Sequence, residues 1–201
     1  MLGLPVAFAL AWMLARGRFW GRFALEIAVD LPLVLPPVVT GWALLTLFGR
    51  GGWLAPIGGL FVFRWTGAAL AAGIMALPLM VRAIRLALEA ADRRLEAAAA
   101  SLGASRLRVF RSVTLPLAAP GVIAGAVVGF AKALGEFGAT ITFVASIPGE
   151  TRTLPLAIYG ALQTPGSEAA VVRLALLSAA LSVGALVVAE IFSRRAKAHR
   201  R

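Results

Sequence analysis

No cysteine occurs among the 201 residues, so disulfides, thiolate metal sites and cysteine nucleophiles are excluded. Histidine is nearly absent too. The single one, His199, sits in a basic tail, where it reads as solvated rather than catalytic. Lysine appears only as Lys132 and Lys197, each preceded by alanine. A phosphate-cradling P-loop needs a Gly-Lys pair ahead of Ser or Thr, so this chain carries none. No clustered set of nucleophile, base and metal ligands supports an enzyme. Neither an internal repeat nor a low-complexity linker interrupts the chain. Charge is scarce as well: 14% of residues are charged and 60% are hydrophobic, against ~25% and ~45–50% in soluble domains. That balance places the chain in the membrane class. The net charge of +11 then needs no nucleic acid; arginines facing the cytoplasm account for it.

What is present is a set of apolar runs. An apolar bilayer core of ~30 Å requires ~20 helical residues. Charge-free runs occupy residues 2–15, 31–49, 65–81, 112–131 and 174–189. With their flanks they predict embedded segments near 2–15, 28–49, 65–88, 112–140 and 170–192, in a single domain over 1–201. The first run has 14 residues, ~21 Å as a helix. It is a partial span, or a helix that starts upstream of Met1. It lacks the basic leader of a signal peptide. Pro32, Pro36 and Pro37 fall in the second run, where membrane helices tolerate proline if neighbours re-satisfy the backbone. They read either as gating kinks or as tolerated ones. Arg82 and Arg85 close the third run and are expected to snorkel to the interface. Residues 49–64 read as an interfacial loop, and "TLPLAIYGALQ" as a short interfacial or re-entrant helix.

Orientation follows from the basic residues. Regions 16–22, 82–111 and the C-terminal tail hold 3, 7 and 5 of them; the two opposite loops hold Arg50, Arg64, Arg152 and Arg173. This positive-inside pattern puts the tail and residues 82–111 in the cytoplasm. The side on which each basic region falls played no part in locating the runs, so the alternation tests the span assignment.

Residues 92–116 differ from their surroundings. Before Gly103 the chain is alanine-rich and helix-forming. After it, Leu107, Phe110 and Val113 recur at spacing three, a narrow apolar stripe, with Arg106, Arg108 and Arg111 elsewhere around the helix. Two short helices meeting at a glycine make an elbow, and Pro116 and Pro120 lead into the next span. Either this insert lies on the bilayer with its arginines on headgroups, or it docks in a groove on a soluble partner.

The insert resembles the "EAA" loop of binding-protein-dependent ABC importer permeases. "GASRLRVFRSVTLP" matches the second half of that pattern through Gly103, Val113, Leu115 and Pro116. The first half departs from it. The family glutamate lies six residues before the glycine, which is Ala97 here, and Glu96 stands one residue early, ~100° around a helix. The stretches "FAKALGEFGATITFVASIPGETRTLPLAIYGALQTPG", "LPLVLPPVVTGW" and "PLMVRAIRLALE" are similar to molybdate permeases. The resemblance covers nearly the whole chain and implies an all-α type I importer permease fold in a bacterial-type inner membrane, with about five embedded helices and a cytoplasmic coupling loop. It implies no cofactor in this chain and ATP with Mg bound by a partner. The implied partners are a second copy, two ATP-binding subunits and an extracytoplasmic oxyanion-binding protein. The implied function is import of molybdate, or of sulfate or tungstate, by alternating access. The coupling residues it points to are Glu96, Ala97, Ala98, Gly103, Leu107, Phe110, Leu115 and Pro116. Gly103 would be the elbow, Leu107 and Phe110 the apolar grip, and the arginines a rim.

For the substrate path, Lys132 and Glu136 lie four apart, on one face of the expected fourth helix. Ionisable residues at that depth are functional candidates, and a structural ion pair is the alternative. Thr140, Thr142 and Ser146 are hydroxyl donors that can equally bond their own backbone. Arg152 in "SIPGETRT" faces a docking protein or sits in a solvated turn. A gradient-driven carrier would be expected to show repeats and midplane ion sites. A channel or structural subunit leaves the insert unexplained.

Overall fold

Leu35 and Pro36 both precede a proline, and the following ring pushes such residues out of the α region. Leu35 takes φ −70°, ψ 142°, and Pro36 φ −54°, ψ 135°. Two extended residues in succession end a helix. In the computed structural model, which describes residues 3–198 with side chains through residue 188 and at Ile191, α1 (Gly3–Arg16) is followed by α2 (Arg22–Val34) and α3 (Pro37–Phe48). The axes of α2 and α3 differ by 114°. The run expected as one span at 28–49 is therefore two helices around a sharp corner, because adjacent prolines impose more than a kink. His199, Leu2 and the last two arginines lie outside the described residues.

After the short α4 (Ala55–Gly58) comes α5 (Trp65–Ala90), the mast of the bundle. Its inner half packs with α1: Ala7, Ala11 and Leu14 of α1 join Met80, Ile84 and Leu88 of α5 in one apolar core, with Ala76 and Val81. Its outer half, through Ala68, Ala71 and Met75, joins a second core with Leu44 and Phe48 of α3. Arg82 and Arg85 do not simply snorkel. Arg82 Nε and Nη2 donate to Asp30 Oδ1 and Oδ2 at 3.1 and 2.7 Å, and Arg85 Nη1 donates to Glu26 Oε1 at 2.5 Å. The acids of α2 meet them across the helix pair, which shortens the excursion the cations need.

α6 (Arg93–Ser101) follows, then α7 (Arg106–Val109), a π-turn at Phe110–Thr114 and α8 (Leu115–Leu134). The last three run on as one apolar helix, Arg106–Leu134. The expected short second helix of the insert is thus the foot of a long one. Pro116 lacks an N–H and its ring would crowd the carbonyl four residues back. The π-turn absorbs that: Leu115 N–H bonds the Phe110 carbonyl, one residue further back than in an α-helix. Pro120 sits inside α8 without ending it.

α8 closes on α5 through Gly121, Gly125 and Gly129. A Cβ at Gly121 would overlap the Ala87 methyl; one at Gly125 would lie 3.1 Å from Met80 O, and one at Gly129 2.5 Å from Met80 Cγ. Small residues at spacing four let membrane helices approach closely. α8 stops at Leu134, short of the expected 140. After a break come α9 (Gly138–Val144), α10 (Leu154–Leu162) and α11 (Glu168–Ala198). Ala139, Phe143 and Val144 of α9 complete the second core. The nine-residue α10 matches the expected short helix. Among the described residues, α5, the 106–134 helix and α11 are long and apolar enough to cross a membrane singly, and α2 with α3 is a bent fourth candidate.

Long-range contacts agree with the two-sided charge pattern. Arg16 bonds Glu96 at one end of the bundle, and the Trp65 N–H donates to Glu150 at the other. The arginine-rich regions 16–22 and 82–111 thus gather at a single end.

Candidate functional site

The knuckle at the arginine-rich end begins at Asp92, whose side chain accepts the Arg94 N–H and caps α6. Leu102 ends that helix, and Gly103 takes φ 83° with open space around it. This is the left-handed conformation glycine enters without a Cβ penalty. Ser105 then caps the next helix by accepting the Arg108 N–H.

The knuckle has two faces. Ala97, Ala98 and Gly103 are exposed, as are Leu102 at 89% and Leu107 at 59%. Leu115 and Pro116 are exposed nearer the bundle, Arg94, Arg106, Arg108 and Arg111 are exposed as well, and Arg93 reaches back to the Ala15 carbonyl of α1. Exposed leucines and exposed cations in one short segment suit a partner that is apolar with acidic groups beside it. The inner face holds the other two coupling candidates. Glu96 Oε1 accepts from Arg16 Nη2 at 2.8 Å and from Thr114 Oγ1 at 2.9 Å. Phe110 packs edge-on against Trp12 and Phe8 of α1, with centroids 5.4 and 6.0 Å away. Glu96 and Phe110 are therefore inward anchors and Leu107 points out. Leu102 joins the outer patch; it was missed because it falls off the spacing-three stripe, on the far side of the glycine.

The second constellation is the break between α8 and α9. Lys132 Nζ donates to Glu136 Oε2 at 2.6 Å. The pair forms at the expected spacing, but Glu136 lies beyond the end of α8 rather than on its face. Its other oxygen accepts the Ala139 N–H at 3.0 Å, satisfying an orphan donor at the start of α9. The Glu136 side chain is 1% exposed and that of Lys132 28%. Thr140 is buried and its Oγ1 has no partner among the described residues; the same holds for Thr40 on α3. Thr142 Oγ1 donates to the Gly138 carbonyl, its own backbone. In the outer turn, Thr151 Oγ1 accepts the Ile147 N–H and donates to the Ala145 carbonyl, while Arg152 is exposed. Ser146 lies in that same turn.

Glu26 and Asp30 were not singled out from sequence, although acids in a membrane segment are a readable signal. The glycine triplet at 121, 125 and 129 was equally readable, as a repeated spacing of four.

Residues 3–198 match the family model described as binding-protein-dependent transport system inner membrane component. The chain is 52% identical over 199 residues to the molybdenum transport system permease protein ModB of Escherichia coli (strain K12), covering 96% of this chain and 87% of that protein. It is 52% identical over 197 residues to ModB of Haemophilus influenzae, covering 96% and 86%. Among solved structures, a bacterial ABC transporter involved in import of the acidic polysaccharide alginate superposes with a TM-score of 0.72 at 18% identity, over 96% of this chain and 73% of that one. That likeness concerns the fold alone.

Proposed function

This chain belongs to the binding-protein-dependent transport system inner membrane components, and we propose that it is the permease of an ATP-driven importer of molybdate. It is a multi-pass protein of the inner membrane, and the oxyanion crosses through it by alternating access. A separate ATPase subunit hydrolyses ATP with Mg. Two copies of this chain, two ATPase subunits and an extracytoplasmic oxyanion-binding protein make up the working assembly, with the C-terminus in the cytoplasm.

The observation that carries this reading is the outer face of the knuckle. Leu102 and Leu107 stand exposed on either side of the Gly103 turn, in a segment whose Arg94, Arg106, Arg108 and Arg111 are exposed too. Ala97, Ala98, Leu115 and Pro116 are exposed in the same segment. Such a surface fits an apolar cleft with acidic walls on the ATPase. The inner contacts of Glu96 and Phe110 keep the patch in a fixed attitude to the bundle.

We place the substrate path at the α8–α9 break. Lys132 neutralises Glu136, so a passing dianion meets no uncompensated carboxylate. The buried Thr140 hydroxyl supplies a neutral donor that binds an oxyanion without a deep well. Thr40 offers a second such donor.

The test uses Leu102→Asp, Leu107→Asp in the full complex. The ATPase subunit is expected to be lost on co-purification, and uptake of labelled molybdate with it. Retention of both would reject the docking surface. Competition by tungstate and sulfate against labelled molybdate in the parent complex checks the substrate. Stronger displacement by sulfate would move the assignment within the same family.

A further inference from the structure

The inner face of the knuckle gathers three separate chain segments on one carboxylate oxygen. Glu96 Oε1, on α6, is held by Arg16, the last residue of α1, and by Thr114, in the foot of the 106–134 helix. Arg16 and Glu96 are 80 residues apart, with side chains 12% and 21% exposed. Thr114 is 1% exposed. Around this point the contacts repeat the same connection. The Arg16 guanidinium lies over the Trp12 ring at 5.7 Å, and the edge of the Trp12–Phe110 pair closes the loop back to the long helix. Arg93 Nη2 also reaches the Ala15 carbonyl at 3.4 Å.

These bonds are not those of a pliant loop. Charge-assisted bonds out of bulk water are short and directional. Taking away one partner leaves a charge with little solvent to receive it. Beyond the joint, α1 continues into the apolar core through Leu14, Ala11 and Ala7. The foot of the long helix continues into α8. A displacement applied to Leu107 enters α8 along the continuous 106–134 helix, and Glu96 is where α6, which carries Leu102 at its end, and α1 are bonded to that helix.

We infer that Arg16 and Glu96 are positioning residues for coupling: they join α1, α6 and the 106–134 helix into one lever, so that the ATPase stroke moves α1 together with α8. This rests on the docking reading above and adds where the force goes. The role of Arg16 and Glu96 is to prevent slack between the docking patch and the bundle.

The absence of cysteine from the chain makes the joint directly testable. In the complete complex, reconstituted with its binding protein, Arg16→Cys, Glu96→Cys introduces the chain's sole pair of thiols. Unbridged, the variant is expected to keep its ATPase subunit but to lower molybdate imported per ATP hydrolysed by about tenfold, the size of an ordinary coupling energy. Bridging the thiols with a short bifunctional reagent is expected to restore the ratio, because a joint that never opens tolerates being locked. Thr114→Val, which removes one bond and no charge, should lower the same ratio by a smaller factor without loss of assembly. It reports on the joint even if the cysteine pair fails to fold. Parent-like coupling in the unbridged variant would overturn the inference, as would a bridge that abolishes transport, and so would parent-like coupling in Thr114→Val should the pair not fold. Should Leu102→Asp, Leu107→Asp keep the ATPase, the docking reading itself fails. If that variant loses the ATPase while the joint variants couple normally, only the lever fails.

Discussion

Among the described residues, the helices α2 and α3 are separated at residues 35–36 and α8 and α9 at residues 135–137, by unlike means. The first interruption is covalent. Leu35 and Pro36 are extended because each is followed by a proline ring, and that restriction acts on the chain whatever the rest of the molecule does. The second contains no proline. Gly135 ends α8, and Glu136 holds the corner by bonding back to Lys132 and forward to the Ala139 N–H. There a buried carboxylate, not a ring in the chain, bonds to both sides of the break. The helices released by the two corners nevertheless pack on each other. A Cβ at Gly41 of α3 would lie 2.5 Å from the Ala139 carbonyl, and one at Gly138 of α9 would lie 2.8 Å from Pro37 Cβ. A stiff corner and a polar corner therefore meet at one seam.

The largest effect expected from breaking this contrast is at Glu136. Glu136→Ala removes both bonds and strands Lys132, which costs about 3 kcal/mol of stability, at the lower end for buried pairs because the Lys132 side chain is only partly buried. Thermal unfolding in detergent measures it. Glu136→Gln keeps an acceptor for Ala139 and is expected to fall between. A loss below about 1 kcal/mol for the alanine variant would mean that the corner is held by something other than the ion pair.

The seam comes next. Gly41→Ala drives a methyl into α9 backbone and is expected to cost about 1–2 kcal/mol net, overpacking exceeding the gain in helix propensity. Gly160→Ala in α10, where nothing lies within 4 Å of the new Cβ, is the control and should stabilise by about 0.5–1 kcal/mol. The same substitution then gives opposite signs, and equal signs would deny the close approach.

The smallest effect is at the covalent corner. After Pro37→Ala, Leu35 still precedes Pro36; after Pro36→Ala, the new residue still precedes Pro37. Neither single change should straighten the corner, and each should shift stability by less than about 0.5 kcal/mol. Spin labels on Phe23→Cys and Leu47→Cys in the cysteine-free chain report the angle. Only the double proline replacement is expected to lengthen that distance.

Much of the architecture was open to sequence reading because it rests on local chemistry. The apolar runs, the two-sided distribution of arginine, and the turn at Gly103 need no distant partner. The Lys132–Glu136 spacing pointed to an ion pair, though the helix assumed to carry both ends at Leu134. Glu96 was hidden for a different reason. Its direction depends on Arg16 and Thr114, and a pattern within the insert contains no information about α1. Phe110 belongs to the same class: a stripe at spacing three shows which residues share a side, not whether that side meets a partner protein or Trp12.

Composition and spacing therefore settle that the chain lives in a membrane, which end carries the arginines, and where adjacent prolines forbid a helix, since each follows from a few neighbouring residues or from solvent preference alone. The inward turn of Glu96, the pairing of Asp30 with Arg82 and Glu26 with Arg85, and the polar corner at Glu136 are decided only when distant segments come together. Out of water, a charge is stable where another segment delivers its counterpart, and that delivery is a property of the packed bundle.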